Sequence, residues 1–189
     1  MKTAVICIYA VLFFSIFNCE KNKDITEPEK PASQILFYSS FEKNGQPNNN
    51  GWFIKDESSA NYSTDVPPGG GDYSMCLKVD SIGPFRQWAQ FSVPASNSNN
   101  IYKLSFWSKP QGACGIAHVY IKLSDTTGYY SKSKLACDST WSYYSITDTI
   151  QTDENDSLVI ILAPDLSWTV DAKAYFDLCK LEKLNSNWP

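Results

Sequence analysis

The sequence predicts an all-β fold, a two-sheet antiparallel β-sandwich of the jelly-roll kind. Two observations carry this. Beyond residue 33 the apolar segments are short and rich in Val, Ile, Tyr, Phe, Trp and Thr, and clusters of Gly, Pro, Asn, Ser and Asp separate them. That is the grammar of strands and turns. The second observation is that no segment repeats its apolar residues at the sustained 3.6-residue period of a helix.

Strands are expected over residues 35–41, 52–55, 73–80, 88–93, 101–109, 116–124, 129–134, 141–150, 157–163 and 175–184. In 101–109, Tyr102, Leu104 and Phe106 alternate with Lys103, Ser105 and Trp107. One face of that strand is therefore expected to be buried and the other wet or ligand-facing. Residues 158–162 are apolar on both faces, which suits a central strand covered on each side. About ten strands at this spacing imply two packed sheets.

The N-terminus has a different character. Lys2 precedes an almost unbroken apolar stretch over 4–17, followed by Asn18, Cys19 and the charged run 20–24. This is the layout of an export signal. The apolar stretch falls short of the roughly 20 residues that span a bilayer as a helix. An ordinary small-x-small cleavage site is missing between Phe13 and Asp24. Ile16-Phe17-Asn18-Cys19 instead resembles a lipobox, the lipoprotein processing motif. That resemblance implies lipidation of Cys19, cleavage before it, and attachment in the cell envelope to the outer membrane, on the periplasmic side or facing the surface. Residues 20–33 are charged and proline-bearing with one aliphatic side chain, so they are expected to form a flexible tether. The expected organisation is a signal peptide over 1–18, lipidated Cys19 with a tether to 33, and one sandwich domain over 34–189.

Charge narrows the partners. The chain has 16 basic and 20 acidic side chains. Removing residues 1–18 takes away Lys2 alone among them, leaving 15 against 20 and a formal charge of −5. Arg86 is the sole arginine, and no basic cluster interleaves with aromatics. Nucleic acid is therefore disfavoured as a partner.

Several short segments occur in a telling order: Phe41-Glu42, Gly51-Trp52, the run 70–79, the run 102–109, the run 141–144 and Ala174-Tyr175-Phe176-Asp177. In this order and spacing the body resembles the jelly-roll carbohydrate-binding modules and their galactose-binding-like relatives. The resemblance implies a carbohydrate partner, and one structural calcium ion held by Glu42 after the first strand and Asp177 opening the last, with backbone carbonyls completing the shell. The alternative for these two residues is local: Glu42 capping a surface loop and Asp177 accepting backbone hydrogen bonds.

A sugar ring presents an apolar C–H face, so its site wants an accessible flat aromatic with hydrogen-bonding groups around it. Trp52, Trp107 and Trp141 fall on framework positions of the resemblance, but alternation turns Trp107 away from Leu104 and Phe106. Arg86 and Trp88 come together in Pro84-Phe85-Arg86-Gln87-Trp88 and form the leading ligand candidate. Trp168 in its loop and Tyr129 beside Tyr130 follow. For each the competing role is packing, since most aromatics in such folds are core.

With Cys7 in the signal and Cys19 lipidated, Cys76, Cys114, Cys137 and Cys179 remain, an even number in an exported domain. Cys114 and Cys137 flank a predicted hairpin turning near Gly128, which would bring them together. A bridge between Cys76 and Cys179 follows by elimination, with two buried thiols as the alternative. The single histidine, His118, lies within a strand, and no C-x-x-C pair exists to hold zinc.

No nucleophile elbow, zinc-protease motif or phosphate loop occurs. Asp153, Glu154 and Asp156 could supply the paired carboxylates of a glycosidase, but they sit in a polar turn where capping is expected. The expected function is a membrane-tethered, noncatalytic carbohydrate-binding module for a poly- or oligosaccharide. The alternatives are a surface adhesion or assembly protein with a protein partner and, further off, an unusual hydrolase or lyase.

Overall fold

A computed structural model describes residues 33–79, 87–123, 128–165 and 170–184, without the side chains of 129–131. The signal segment, Cys19 and nearly all of the tether lie outside these residues. The strands are β1 (Gln34–Ser39), β2 (Glu42–Lys43), β3 (Gln46–Pro47), β4 (Phe53–Ile54), β5 (Ala60–Ser63), β6 (Ser74–Lys78), β7 (Ala89–Pro94), β8 (Ser98–Gln111), β9 (Gly115–Lys122), β10 (Gly128–Ala136), β11 (Ser142–Thr152), β12 (Ser157–Pro164) and β13 (Lys173–Leu184). A short 3-10 turn, Glu57–Ser59, joins β4 to β5.

They form the expected antiparallel sandwich. One sheet runs β11-β8-β13-β6-β5 with β1 also paired to β13, the other runs β10-β9-β12-β7-β4, and β2 with β3 makes a small hairpin. β12, apolar on both faces, is the central strand of its sheet, between β9 and β7. Three strands escape the patterning. β2 and β3 have two residues each, and β5 is a polar edge strand, Ala60-Asn61-Tyr62-Ser63.

Alternation fills the space between the sheets. Leu104, Phe106, Phe176 and Leu181 point in from one sheet and meet Val119, Ile121, Leu158, Ile160 and Leu162 from the other. Burying each such side chain is worth roughly 1.5–3 kcal/mol. Phe41 and Trp52 complete one end, so Trp52 is a core residue.

β13 changes neighbours halfway. On one side it pairs with β8 along most of its length. On the other, Lys173–Phe176 face β6 and the stretch from Cys179 to Lys183 faces β1. Between the two halves the register shifts, and Leu178 takes a left-handed backbone with φ of 48°. A non-glycine residue in that region marks a bulge.

Cys114 and Cys137 form a disulfide with Cα atoms 4.6 Å apart. They extend the last β9–β10 pair, Gly115 with Ala136, so the expected hairpin places them together. The second bridge is not formed. Cys76 and Cys179 are free and buried. Cys76 pairs with Tyr175 on the outer face of its sheet, whereas Cys179 pairs with Ser39 beyond the bulge and faces the core. The two thiols lie on opposite faces of the sheet, so the even count that suggested a second bridge is met instead by two buried free cysteines.

Candidate functional site

The outer face of the six-stranded sheet is built from residues that alternate with the core. Tyr144, Phe106 and Phe176 point inward, so Tyr143, Trp107 and Asp177 point outward, and register sets these three side by side across β11, β8 and β13. The next row toward the β5 edge of the molecule holds Lys109, Tyr175, Cys76 and Asn61, with Trp141 flanking Lys109 just ahead of β11. In the opposite direction lie Ser145, Ser105, Lys180 and Tyr38. Cross-strand neighbours on one face stand about 4.5–5.5 Å apart, so the rows form a continuous strip. Trp107 is half-buried and Tyr143 is 51% exposed, and their rings meet edge-to-face with centroids 6.0 Å apart.

The second row is tightly bonded. Asp65 follows β5, and its carboxylate forms an ion pair with Lys109 while accepting a hydrogen bond from the Trp141 indole N–H at 2.8 Å. Trp141 meets the Tyr175 ring edge-on at 6.3 Å, and the Lys109 ammonium lies 5.9 Å from the same ring's centre. The Tyr175 hydroxyl donates to the Gln111 side-chain oxygen at 2.5 Å. Burial, with the neighbouring Cys76, pushes that phenol up to about 12, so it remains a donor at neutral pH. The bond from Lys109 is the main cause that holds Asp65 below the usual carboxylate range. This row offers a cation, a carboxylate and an amide beside aromatic rings.

A buried corner lies next to Trp107 where β13 changes neighbours. The chain after β5 folds over it. A Cβ on Gly71 would collide with the Glu42 carboxylate, and one on Gly70 would come within 2.7 Å of Asp177 Oδ2. Glycine is therefore required by close approach. Glu42 Oε2 accepts from the backbone N–H groups of Asp72 and Tyr73 at 2.6 and 3.2 Å. Asp177 Oδ1 accepts from Leu178 N–H at 2.7 Å. Asp177 Oδ2 is buried and, among the described residues, finds no hydrogen-bond partner. Burial pushes the Asp177 carboxyl up to about 7, the Leu178 N–H opposes this, and Glu42 raises it further.

Glu42 thus holds its loop as foreseen, whereas Asp177 does not open the last strand but sits at the bulge inside β13, accepting one backbone hydrogen bond and leaving one carboxylate oxygen over. A buried, ionised carboxylate near a second one is unfavourable unless a proton or a cation neutralises it. All-oxygen donors of this kind suit calcium. Among the described residues no three His, Cys, Asp or Glu side chains converge, so backbone oxygens would have to complete any shell.

The remaining sequence candidates fall elsewhere. Trp88 adjoins β7 in the other sheet and alternates with core Ala89, so it lies on the opposite outer face, where its ring meets Phe53 at 5.4 Å. The structure therefore does not bring Trp88 and Trp107 together. Gln87 beside it is buried, holding the backbone of Asp56 through its amide. Arg86, Trp168 and the Tyr129 side chain lie outside the described residues. Asp156 caps its own turn, accepting from Asp153 N–H at 2.8 Å. His118 is a buried sheet residue, and burial lowers its pKa.

Sequence reasoning missed Asp65, Lys109, Tyr143 and Tyr175 as site residues, and it placed Trp141 in the framework. The alternation that turned Trp107 outward also turns out Lys109, Tyr175 and Tyr143. Asp65 carried no signal, because its position depends on how the connection over 64–73 folds back.

The fold is a jelly roll of the kind found in carbohydrate-binding modules. The chain is similar to the CBM22-1 xylan-binding domain of Paenibacillus barcinonensis Xyn10C, with 16% identity and a TM-score of 0.59 over 82% of this chain and 98% of that one. It is also similar to the CBM22-1-GH10 modules of Clostridium thermocellum xylanase Xyn10B, complexed with xylohexaose, with 15% identity and a TM-score of 0.54 over 81% of this chain and 29% of that one. The C-terminal family 22 module of the same xylanase matches with 12% identity and a TM-score of 0.54 over 80% of this chain and 94% of that one. Identities this low establish shared architecture alone. No family model and no curated protein matches the chain.

Proposed function

We propose that this domain is a noncatalytic carbohydrate-binding module that holds a poly- or oligosaccharide across the outer face of the six-stranded sheet. The observation that carries this reading is the register pair Tyr143 and Trp107, two accessible rings beside a bonded polar row. The rings would stack on sugar C–H faces, while Lys109, Gln111 and Asp65 would bond hydroxyls. The structures that share the fold include a xylan-binding domain and a complex with xylohexaose, which puts neutral β-linked polysaccharides first among ligands to try. Calcium at Glu42 and Asp177 would neutralise the buried corner and fix the strand junction behind Trp107. Cys19, lipidated, would tether the module to the outer membrane through residues 20–33.

Screening the intact chain against plant and microbial polysaccharides by affinity electrophoresis tests the reading. Retarded migration on at least one neutral glycan is expected, and uniform failure to bind would overturn it. A protein-contact role is favoured by a separate observation, the pair of Trp88 and 59%-exposed Phe53 on the opposite face. A stable, glycan-independent protein partner lost in Phe53→Ala would support that second role.

A further inference from the structure

The chain crosses from one sheet to the other between β4 and β5, the two strands that end their sheets on the same side of the sandwich. That side is not sealed. A cavity of about 320 Å³ opens there. Its inner wall is apolar, from Ile54, Ala60 and Met75, and its rim carries Asn49, Glu57, Asn61 and Tyr62. Tyr62 and Met75 are register partners on β5 and β6, and the preceding pair, Asn61 with Cys76, faces the outer side. The cavity therefore lies at the sheet edge, where the outer row of Lys109, Tyr175 and Cys76 ends in Asn61, three strands away from Trp107.

The rim is held in place before any ligand arrives. Asp56 caps the 3-10 turn, accepting from Ser58 N–H at 3.0 Å, and its backbone is gripped by the buried Gln87 amide at 3.2 and 2.5 Å. Glu57 is thus presented by a turn anchored from beneath. Asn49, which lines the cavity, accepts from Gly51 N–H through its side-chain oxygen at 3.2 Å, so its amide N–H groups are not used in that bond. Among the described residues no bond engages the Asn61 amide. Burial, with Glu57 nearby, raises the Tyr62 phenol, which remains a neutral donor.

We infer that this edge cavity is a second subsite that takes one neutral sugar ring, such as the terminal residue of a chain. The inference rests on the carbohydrate-binding reading for its ligand class, though not on the sheet face. Small-ligand sites span about 300–1,000 Å³, so this one suits a single ring. Amide and phenol donors opposite a carboxylate acceptor, over an apolar wall, match the alternating hydroxyl and C–H edges of a pyranose. Among the described residues that line the cavity Glu57 is the charged one, and it opposes uronic acids.

The test is an NMR titration of the full chain with methyl xyloside, methyl galactoside and methyl glucoside, using galacturonate as the anionic control. The expected result is binding on the order of millimolar to at least one neutral glycoside, read as shifts of the Asn49 and Asn61 side-chain amides. Asn61→Ala and Glu57→Ala should each weaken it about fivefold, whereas Trp107→Ala should leave it unchanged. Asn61 is exposed on an edge strand, so its loss spares the core. Shifts that fall on Trp107, Tyr143 and the row from Lys109 to Asn61 while sparing the Asn49 side chain and Glu57 would overturn the inference and leave the sheet-face reading standing. Equal binding of galacturonate, or no change in both rim variants, would also overturn it. Monosaccharide binding at the edge without any polysaccharide binding would support the edge site and sink the sheet face.

Discussion

Trp107 and Asp177 are direct cross-strand partners on β8 and β13, so the ring proposed to carry a sugar abuts the carboxylate proposed to hold a cation. The two roles are mechanically joined. Trp107→Ala is expected to weaken polysaccharide binding by about tenfold or more, since a stacked aromatic contributes on the order of 1–3 kcal/mol. Tyr143→Ala should act in the same direction. Calorimetric titration checks both, and wild-type affinity in the pair of variants would remove the platform.

The corner at Asp177 predicts an unusual pH response. Its folded pKa, about 7, lies above the ordinary value of 3.8. Between these values the unfolded chain has lost a proton that the folded chain retains, so this group lowers stability as pH rises from about 4 to about 7. In chelator, Tm should therefore fall over that window. Calcium should reverse the trend by favouring the ionised form, and Asp177→Asn should flatten it. Scanning calorimetry at pH 5 and pH 8, with and without calcium, reads all of these. A calcium-independent Tm at pH 8 would exclude the site.

Asp65 has the opposite sign. Its carboxyl is held below the usual range, chiefly by Lys109. The stability it supplies is present above the unfolded value of 3.8 and is lost as pH falls through its folded value. Asp65→Asn should lower Tm at pH 7, and the difference should narrow as the pH is taken below 3.8. Thermal melts of the two proteins across this range decide this.

Cysteine chemistry gives a covalent check. Cys114→Ser with Cys137→Ser should cost about 3 kcal/mol, the chain-entropy scale for a loop of this order, seen as a shift in denaturant midpoint. Cys76 and Cys179 should be alkylated after unfolding only, because both thiols are buried and burial raises both pKa values. A mass spectrum with two bridges would contradict the structure.

The strand pattern was legible wherever one face met the core. Alternation around Leu104 and Phe106 correctly turned Trp107 outward, and the two-sided apolarity of 158–162 marked the centre of a sheet. The strip around Trp107 was partly legible for the same reason, since Tyr175 lies between core residues Ala174 and Phe176. Other features were not. Alternation says which residues share a face but not which sheet they join, so Trp88 and Trp107 could be grouped on paper and still lie on opposite sides. Cys76 and Cys179 show the same limit for buried groups. β5 is polar because it is an edge, and the cavity it borders depends on where the 3-10 turn carries the chain.

The split neighbours of β13 have a mechanical consequence. Were Cys19 the proposed anchor, a pull from the membrane would enter at Gln34, which pairs with Lys183, and a glycan held at Trp107 would resist near Asp177 at the other end of the same seam. Tension would then run along the strand axis and load the hydrogen bonds between β1 and β13 together instead of peeling them one by one. β6 lies past the bulge and stays out of the load path. A module on a short leash would in this way grip its polymer under drag without opening the sheet that carries it.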